Sequence, residues 1–253
     1  MGWHNSMADI IAHRGYSGKY PENTLLAFKK AYEFGAHGFE LDVHMTKDGR
    51  LVVCHDETID RTSNGSGSIQ ELTLKQIQSY QFLAEFPEFA ETEDHQDITA
   101  PSLQEVFEWY KDLPEAFRLN IELKTDINHY PDIVQKTLSL VDEYGLADRV
   151  FISSFNAYTI LEVRERNPEI ETGFLTLNAI LDAGEYCKRY GVENYHPYHM
   201  MLSQADVDSA KREQVRVNAY TANKPEEIQR MIALDIEGII TNEVELALSL
   251  ISK

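Results

Sequence analysis

Residues 38–56 read GFELDVHMTKDGRLVVCHD. An apolar run carries two carboxylates two positions apart, and in an extended strand such positions point to the same side. Glu40 and Asp42 therefore share one face while Leu41 takes the other. Asp48-Gly49 is a hairpin turn signal, and the LVVC run after it brings the chain back towards His55 and Asp56. Outward from this stretch the pattern repeats. Upstream, DIIA at 9–12 runs into His13-Arg14-Gly15; downstream, RLNIEL at 118–123 carries Glu122 and runs into Lys124.

Short β-branched or apolar runs alternate with longer stretches of helical apolar spacing along the chain, the signature of a βα repeat. The expected strands are Asp9 to Ala12, Gly38 to Val43, Arg118 to Leu123, Val150 to Ser154, Glu171 to Leu177, Val192 to His196, Val215 to Tyr220 and Gly238 to Thr241. Eight such units in 253 residues predict a TIM (β/α)8 barrel, whose usual size is ~250 residues. An open doubly wound sheet would alternate in the same way, but the chain has no G-x-G-x-x-G turn to support nucleotide binding.

Two helix starts are legible. Ser102 and Glu105 form a capping box ahead of Leu103, Val106, Phe107 and Tyr110, and Asn223 followed by Pro225 opens a helix carrying Ile228, Met231 and Ile232 inward. From about Glu57 to Ala100 the rhythm breaks into a Gly/Ser run at 63–68, a short helical pattern and an acidic stretch at 85–97. Residues 1–253 thus read as one domain with an insertion at 57–100, which follows the second strand and sits over the C-terminal mouth of the barrel, where active sites lie. Residues 1–6, ahead of the first strand, read as a lead or remnant with no function of their own.

Hydrophobic residues make up 43% and charged residues 26%, an ordinary globular balance. The formal charge of −19 repels nucleic acid and anionic lipid heads. An anionic substrate then requires a local cationic cluster, which screening over ~8 Å permits. Cys54 and Cys187 form no disulfide framework or C-x-x-C pair. With no signal-like leader, no apolar run long enough to span a bilayer, and neither an apolar nor a basic docking surface, the expectation is a cytoplasmic protein without stable membrane insertion.

Glu40, Asp42 and Glu122 place three carboxylates at the ends of two strands, a set that suits one divalent cation of the oxygen-seeking kind, Mg²⁺ or Ca²⁺. Taken singly, each acid is as readily a solvated or lysine-paired group, His13 a core imidazole and Lys124 a rim salt bridge. Their convergence on strand ends is what favours a site, because interior acids need a cation or a partner. His196 and His199, three apart beside a proline, read as an ordinary loop and not a second metal site. Cys54 reads as a packing residue, without a sign of the lowered pKa a nucleophile needs.

The strings IAHRGYSGKYPENTLLAF, GFELDVHMTKDGRLVVCHDETIDRTSNGSG and LNIELK resemble the glycerophosphodiester phosphodiesterase family, with looser likeness at SSF (153–155) and the closing GIITN. The family's His-Arg-Gly, Glu-x-Asp and His-Asp features stand in order at His13-Arg14-Gly15, Glu40-Leu41-Asp42 and His55-Asp56. The 57–100 stretch resembles the family's insertion. The resemblance implies that Glu40, Asp42 and Glu122 hold the cation, Arg14 and Lys124 bind phosphate oxygens, and His13 and His55 exchange protons. It implies hydrolysis of a small-molecule glycerophosphodiester to glycerol 3-phosphate and an alcohol.

Either histidine fits either role, and either water or a glycerol hydroxyl fits as the attacking group. Two departures bear on the alcohol pocket: Tyr220 stands where the family often has tryptophan, and Asn242 where it often has aspartate. Phe155 and Tyr220 are the expected aromatic wall. A lysophospholipid or inositol phospholipid substrate, and a catalytically silent binding barrel, are the competing readings. The pattern sets no oligomeric state.

Overall fold

The computed structural model describes residues 8–91 and 98–252. The sequence expectations for residues 1–6 and for the acidic stretch at 92–97 lie outside the described residues. Strands β1 (Asp9–Ala12), β2 (Gly38–Met45), β4 (Arg118–Leu123), β5 (Val150–Ser154), β6 (Glu171–Thr176), β7 (Asn194–Pro197), β8 (Arg216–Ala219) and β9 (Gly238–Thr241) pair in parallel in the order β1-β2-β4-β5-β6-β7-β8-β9. The Asp9–Gly238 register brings β9 back to β1 and closes the barrel. The one antiparallel member is β3 (Leu51–Val53), the return arm of the hairpin expected at Asp48-Gly49.

β1 pairs only with the first residues of β2, at Ile11–Gly38 and Ala12–Phe39, whereas β3 pairs with its last three, Val43 to Met45. The hairpin thus takes over the flank that the short first strand leaves, and carries the chain to His55.

Helices α1 (Leu25–Glu33), α3 (Leu103–Tyr110), α4 (Ile133–Glu143), α5 (Ala157–Arg166), α6 (Ala183–Arg189), α7 (Gln204–Arg212), α8 (Pro225–Ala233) and α9 (Val244–Ile251) cover the outside, and the short α2 (Leu74–Ile77) lies in the 57–100 segment. Local chemistry starts them. Ser102 and Glu105 form the expected capping box of α3, whose Leu103, Val106, Phe107 and Tyr110 are fully buried. At α8 the cap is Lys224, with Pro225 at the first helical position. Asn223, expected as the cap, is drawn elsewhere: its side-chain oxygen accepts the Asn242 backbone N–H at 2.9 Å. Ile228 and Met231 of that helix are buried as expected, with Ile232 partly so.

Among the described residues three apolar clusters result, the smallest being Ile11, Phe151 and Ile240 from β1, β5 and β9. The largest joins the outer faces of the strands to the helices. A smaller one, with Val52, Cys54, Ile59, Ile69, Ile77, Phe82 and Ala100, packs the 57–100 segment against the hairpin. The helix layer is tight where α6 meets α7: a Cβ on Gly184 would land on the Ser209 carbonyl and the Ala210 Cα, both rigid backbone. Gly184→Ala should accordingly lower unfolding free energy by about 1–3 kcal/mol through forced separation of the pair, read as a lower urea midpoint at unchanged slope.

Candidate active site

The polar strand ends meet at the C-terminal mouth of the barrel. Glu40 and Asp42 of β2 and Glu122 of β4 are buried, and one oxygen from each lies within 4.8 Å of the others. The register explains this: Asp42 is level with Glu122 across the β2–β4 pair. Lys124, one turn of the pleat beyond Glu122, donates to its Oε1 at 2.8 Å and lies 3.8 Å from Asp42 Oδ1. Both residues point inward, as the two-residue period requires.

Arg14 sits in the sharp turn after β1 with φ of 55°, followed by Gly15 at 78°. A Cβ on Gly15 would stand 2.7 Å from the Ala27 backbone carbon, so this turn against α1 admits only glycine. The turn aims the Arg14 backbone N–H at Glu40 Oε2, 2.9 Å away, and brings its Nε to 3.5 Å from Asp42 Oδ2. Asn23 adds a donor to Asp42 Oδ2 at 2.8 Å.

Electrostatics divides the three acids. Burial, with Asp42 and Glu122 beside it, holds Glu40 well above the usual carboxylate range. Burial, reinforced by Asp42, pushes Glu122 up to about 7 despite Lys124. Burial also opposes ionisation of Asp42, but Arg14, His55 and Lys124 outweigh it and hold its carboxyl well below the usual range. Glu40 Oε1 and Asp42 Oδ1 are buried without a hydrogen-bond partner. Acceptor oxygens of this kind are costly unless something positive meets them, so these residues fit a divalent cation with oxygen ligands.

Each histidine has its own support. Half-buried His13 shares a 2.7 Å hydrogen bond between Nδ1 and Asn242 Oδ1, which gives the proton to Nδ1 and leaves the Nε2 lone pair free. Desolvation, with Arg14 next, drives its pKa down to about 3. His55 Nδ1 faces Asp56 Oδ1 at 2.6 Å. The Phe155 and Tyr220 rings meet edge to face at 5.9 Å, and Lys124 Nζ stands 5.8 Å over Phe155. All nine residues expected from sequence therefore collect around one mouth.

The other two histidines meet expectation in part. His196 lies on β7, within the strand expected from Val192 to His196, but both it and His199 are buried and not on an ordinary loop. Gly173 leaves the room, since a Cβ there would stand 2.8 Å from His196 Nε2, and Asn218 Nδ2 lies 3.1 Å from the same nitrogen. Burial, then Arg216, lowers the His196 pKa to about 3. Cys54 is the expected packing residue, with burial pushing its thiol up to about 12.

Sequence reading missed three polar residues, Glu22, Asn23 and Arg61. Glu22 accepts from Arg14 Nη1 at 3.0 Å and from Arg61 Nη2 at 2.7 Å. Their signal was position: Pro21-Glu22-Asn23 lies between His-Arg-Gly and the Thr24 cap of α1, a segment bound to lie at the mouth.

The fold and site can be set beside known proteins. Residues 13–246 match the model of the Glycerophosphoryl diester phosphodiesterase family. The chain belongs to that family. It is 38% identical over 96% of its length to a glycerophosphodiester phosphodiesterase of Caldanaerobacter subterraneus, 98% of which is covered. It is 35% identical over 93% of its length to one from Bacillus altitudinis, 95% of which is covered. The crystal structure of glycerophosphodiester phosphodiesterase from Thermotoga maritima superposes with a TM-score of 0.76 at 29% identity, covering 98% of this chain and 100% of that one.

A phosphodiesterase of Oleispira antarctica, in complex with the product sn-glycerol-3-phosphate, has a TM-score of 0.82 at 24% identity, covering 98% of each chain. The present chain is thus an enzyme, a glycerophosphodiester phosphodiesterase with the expected TIM-barrel fold. Among the described residues no helix is long and apolar enough to cross a membrane.

Cation binding at these three acids would depend on pH. Glu122, ordinarily at 4.5, titrates near 7 in the folded protein. Its proton therefore favours the cation-free fold below about pH 4.5, and that contribution is lost as pH rises through about 7. Cation binding removes the repulsion and needs the carboxylates deprotonated. Calorimetry should show Mg²⁺ or Ca²⁺ at ~100 times Kd raising Tm by about 5–10 °C at pH 8, and by clearly less at pH 5.5. An equal shift at both values would exclude the triad as the binding site.

Proposed function

We propose that the protein hydrolyses glycerophosphodiesters to glycerol 3-phosphate and an alcohol with one divalent cation at Glu40, Asp42 and Glu122 and with His13 and His55 as proton carriers. The observation that carries this reading is the buried triad with its unpartnered Glu40 and Asp42 oxygens, set beside two cationic side chains and two histidines. The product in the Oleispira structure supports the same chemistry.

When bound, Mg²⁺ or Ca²⁺ would supply Lewis-acid neutralisation of phosphoryl charge. Arg14 and Lys124 add fixed positive charge for the oxygens of the pentacoordinate transition state, and they supply the local attraction that a chain of charge −19 otherwise lacks. His13, neutral and with its Nδ1 proton engaged by Asn242, accepts the proton of the attacking hydroxyl at Nε2. His55, whose Nδ1 is held by the Asp56 carboxylate, donates to the departing alkoxide. The new P–O bond forms as the P–O bond to the alcohol breaks: with water attacking, this gives glycerol 3-phosphate directly, and with a glycerol hydroxyl attacking it gives a cyclic phosphate that water opens in a second displacement. Phe155 and Tyr220 form the wall for that alcohol. The free, buried thiols of Cys54 and Cys187 fit a reducing compartment such as the cytoplasm.

With glycerophosphocholine as substrate, EDTA should abolish release of glycerol 3-phosphate, and Mg²⁺ or Ca²⁺ should restore it. His13→Ala and His55→Ala should each lower kcat by about 100-fold or more with unchanged circular dichroism. Full turnover in chelator refutes the cation; a rate near that of the parent enzyme in either variant removes that histidine.

A second substrate reading has its own observation. Ile127, Tyr158, Leu177, Leu181, Met200 and Met201 are exposed, Leu181 to 91%. All lie beyond the C-terminal ends of β4 to β7. Such a crescent favours an amphiphilic diester such as a lysophospholipid. A kcat/KM for glycerophosphocholine at least tenfold above that for lysophosphatidylcholine supports the first reading. The reverse order, abolished by Leu181→Asp, would establish the second.

A further inference from the structure

Arg61 lies at the start of the 57–100 segment, with its side chain 38% exposed. Its Nε donates to Asp56 Oδ2 at 2.7 Å, and its Nη1 to Glu22 Oε2 and Glu85 Oε1, both at 3.1 Å. Its Nη2 makes two further bonds, 2.7 Å to Glu22 Oε1 and 3.2 Å to Asp56 Oδ1. Those two oxygens are the ones already committed to the site. Asp56 Oδ1 holds His55 Nδ1 at 2.6 Å, and Glu22 Oε1 holds Arg14 Nη1 at 3.0 Å.

We propose that Arg61 is a positioning residue that sets His55, through Asp56, and Arg14, through Glu22, from a single guanidinium.

The chemistry of the fork explains why arginine is needed. A planar guanidinium presents donors in fixed directions and grips carboxylates with two parallel bonds. Here one edge grips Asp56 by Nε and Nη2, and the other grips Glu22 by Nη2 and Nη1. A lysine ammonium can neutralise both acids but cannot fix the plane of either. The plane matters because each carboxylate transmits it: Asp56 to the imidazole ring, Glu22 to the Arg14 fork. Glu22 is the more enclosed, its side chain 11% exposed. Burial works against its charge, and the bond from Arg61 together with Arg14 keeps it ionised.

A purely stabilising role is a poor account of these contacts. The pairs of Arg61 with Asp56 and Glu85, whose side chains are 29% and 45% exposed, contribute about 0–1 kcal/mol each, and a stabilising role would not place both shared oxygens on groups assigned to the reaction. The linkage also joins parts of the chain that no strand joins, since Glu22 precedes α1 whereas Asp56 and Arg61 follow β3. Residues that orient primary site groups in this way typically change activity by ~10–100-fold when removed.

The inference rests on the roles proposed above for His55 and Arg14, so His55→Ala and Arg14→Ala are assayed beside the Arg61 variants. Arg61→Met and Arg61→Lys are compared with the parent enzyme for turnover of glycerophosphocholine in saturating Mg²⁺, for inhibition by glycerol 3-phosphate, and for Tm. Arg61→Met should lower kcat by roughly 10–100-fold and raise the glycerol 3-phosphate inhibition constant about tenfold, with Tm within a few degrees. Arg61→Lys, with charge but no fork, should recover only part of each loss. Glu22→Gln should raise the inhibition constant about tenfold and lower kcat by less than Arg61→Met does, since it leaves the Asp56 grip on His55 in place, and Arg61→Met combined with it should add nothing further to the inhibition constant, because both act on Arg14 by one route.

Kcat and inhibition constant within twofold of the parent in Arg61→Met overturn the proposal, as does full recovery by Arg61→Lys. Should Arg61→Met not fold, Arg61→Lys and Glu22→Gln decide by the same readings. If His55→Ala and Arg14→Ala are themselves active, the roles assigned to those residues fall; if they are inactive and the Arg61 variants are not, only the positioning role falls.

Discussion

Three carboxylates with oxygens within 4.8 Å of one another, at the end of a barrel and out of water, are the constraint around which the molecule is arranged. Like charges so placed cannot all ionise without help. The help comes from every side: Lys124 just past the end of β4, the Arg14 backbone and guanidinium from the β1 turn, and Asn23 from the approach to α1. Even the glycine in His-Arg-Gly follows from this, because only its positive φ and absent Cβ let the turn close on α1. The charge left over by these partners is what an oxygen-seeking cation would answer.

The same constraint explains the two unlike histidines. His13 is hydrogen-bonded to a neutral amide in a desolvated corner, whereas His55 is joined to a carboxylate that is itself gripped by arginine. Asp56 is held down to about 2, against the effect of burial, by its bonds to Arg61 and His55. Two imidazoles of the same intrinsic basicity are thereby given different partners, and in the roles proposed for them the surroundings, not the residues, would set the direction of proton transfer.

Much of this was legible before the fold was known, for a physical reason. Strand residues alternate with a period of two, so Glu40 with Asp42 and Glu122 with Lys124 could be placed on common faces from their spacing alone. β1, β4, β5 and β9 fall where their apolar runs begin and end. β7 and β8 start later than their hydrophobicity suggests. Val192 and Val215 are buried but belong to the turns that close α6 and α7, where their N–H groups bond to Cys187 and Ala210. The burial of His196 was not legible, because nothing local announces that Gly173, on the adjacent strand, makes space for it. Arg61 and Glu22 stayed hidden because their partners lie up to 39 positions away, and ion pairs of that range leave no periodic trace.

The short first strand has a consequence for how this enzyme can change. Because β1 ends early and β3 fills the vacated flank of β2, both histidines and the three acids are borne by β1 to β4 or the turns that leave them. Ile127, Tyr158, Leu177, Leu181, Met200 and Met201 stand in the segments just beyond β4 to β7, Tyr158 in the first turn of α5, and the Phe155–Tyr220 pair follows β5 and β8. In the roles proposed above, the barrel splits into a reactive sector and a receptive one that meet at Lys124 under Phe155. On that reading, remodelling the receptive loops would change the alcohol accepted and leave the residues opposite untouched, so grafting those loops alone is the natural way to redirect the enzyme.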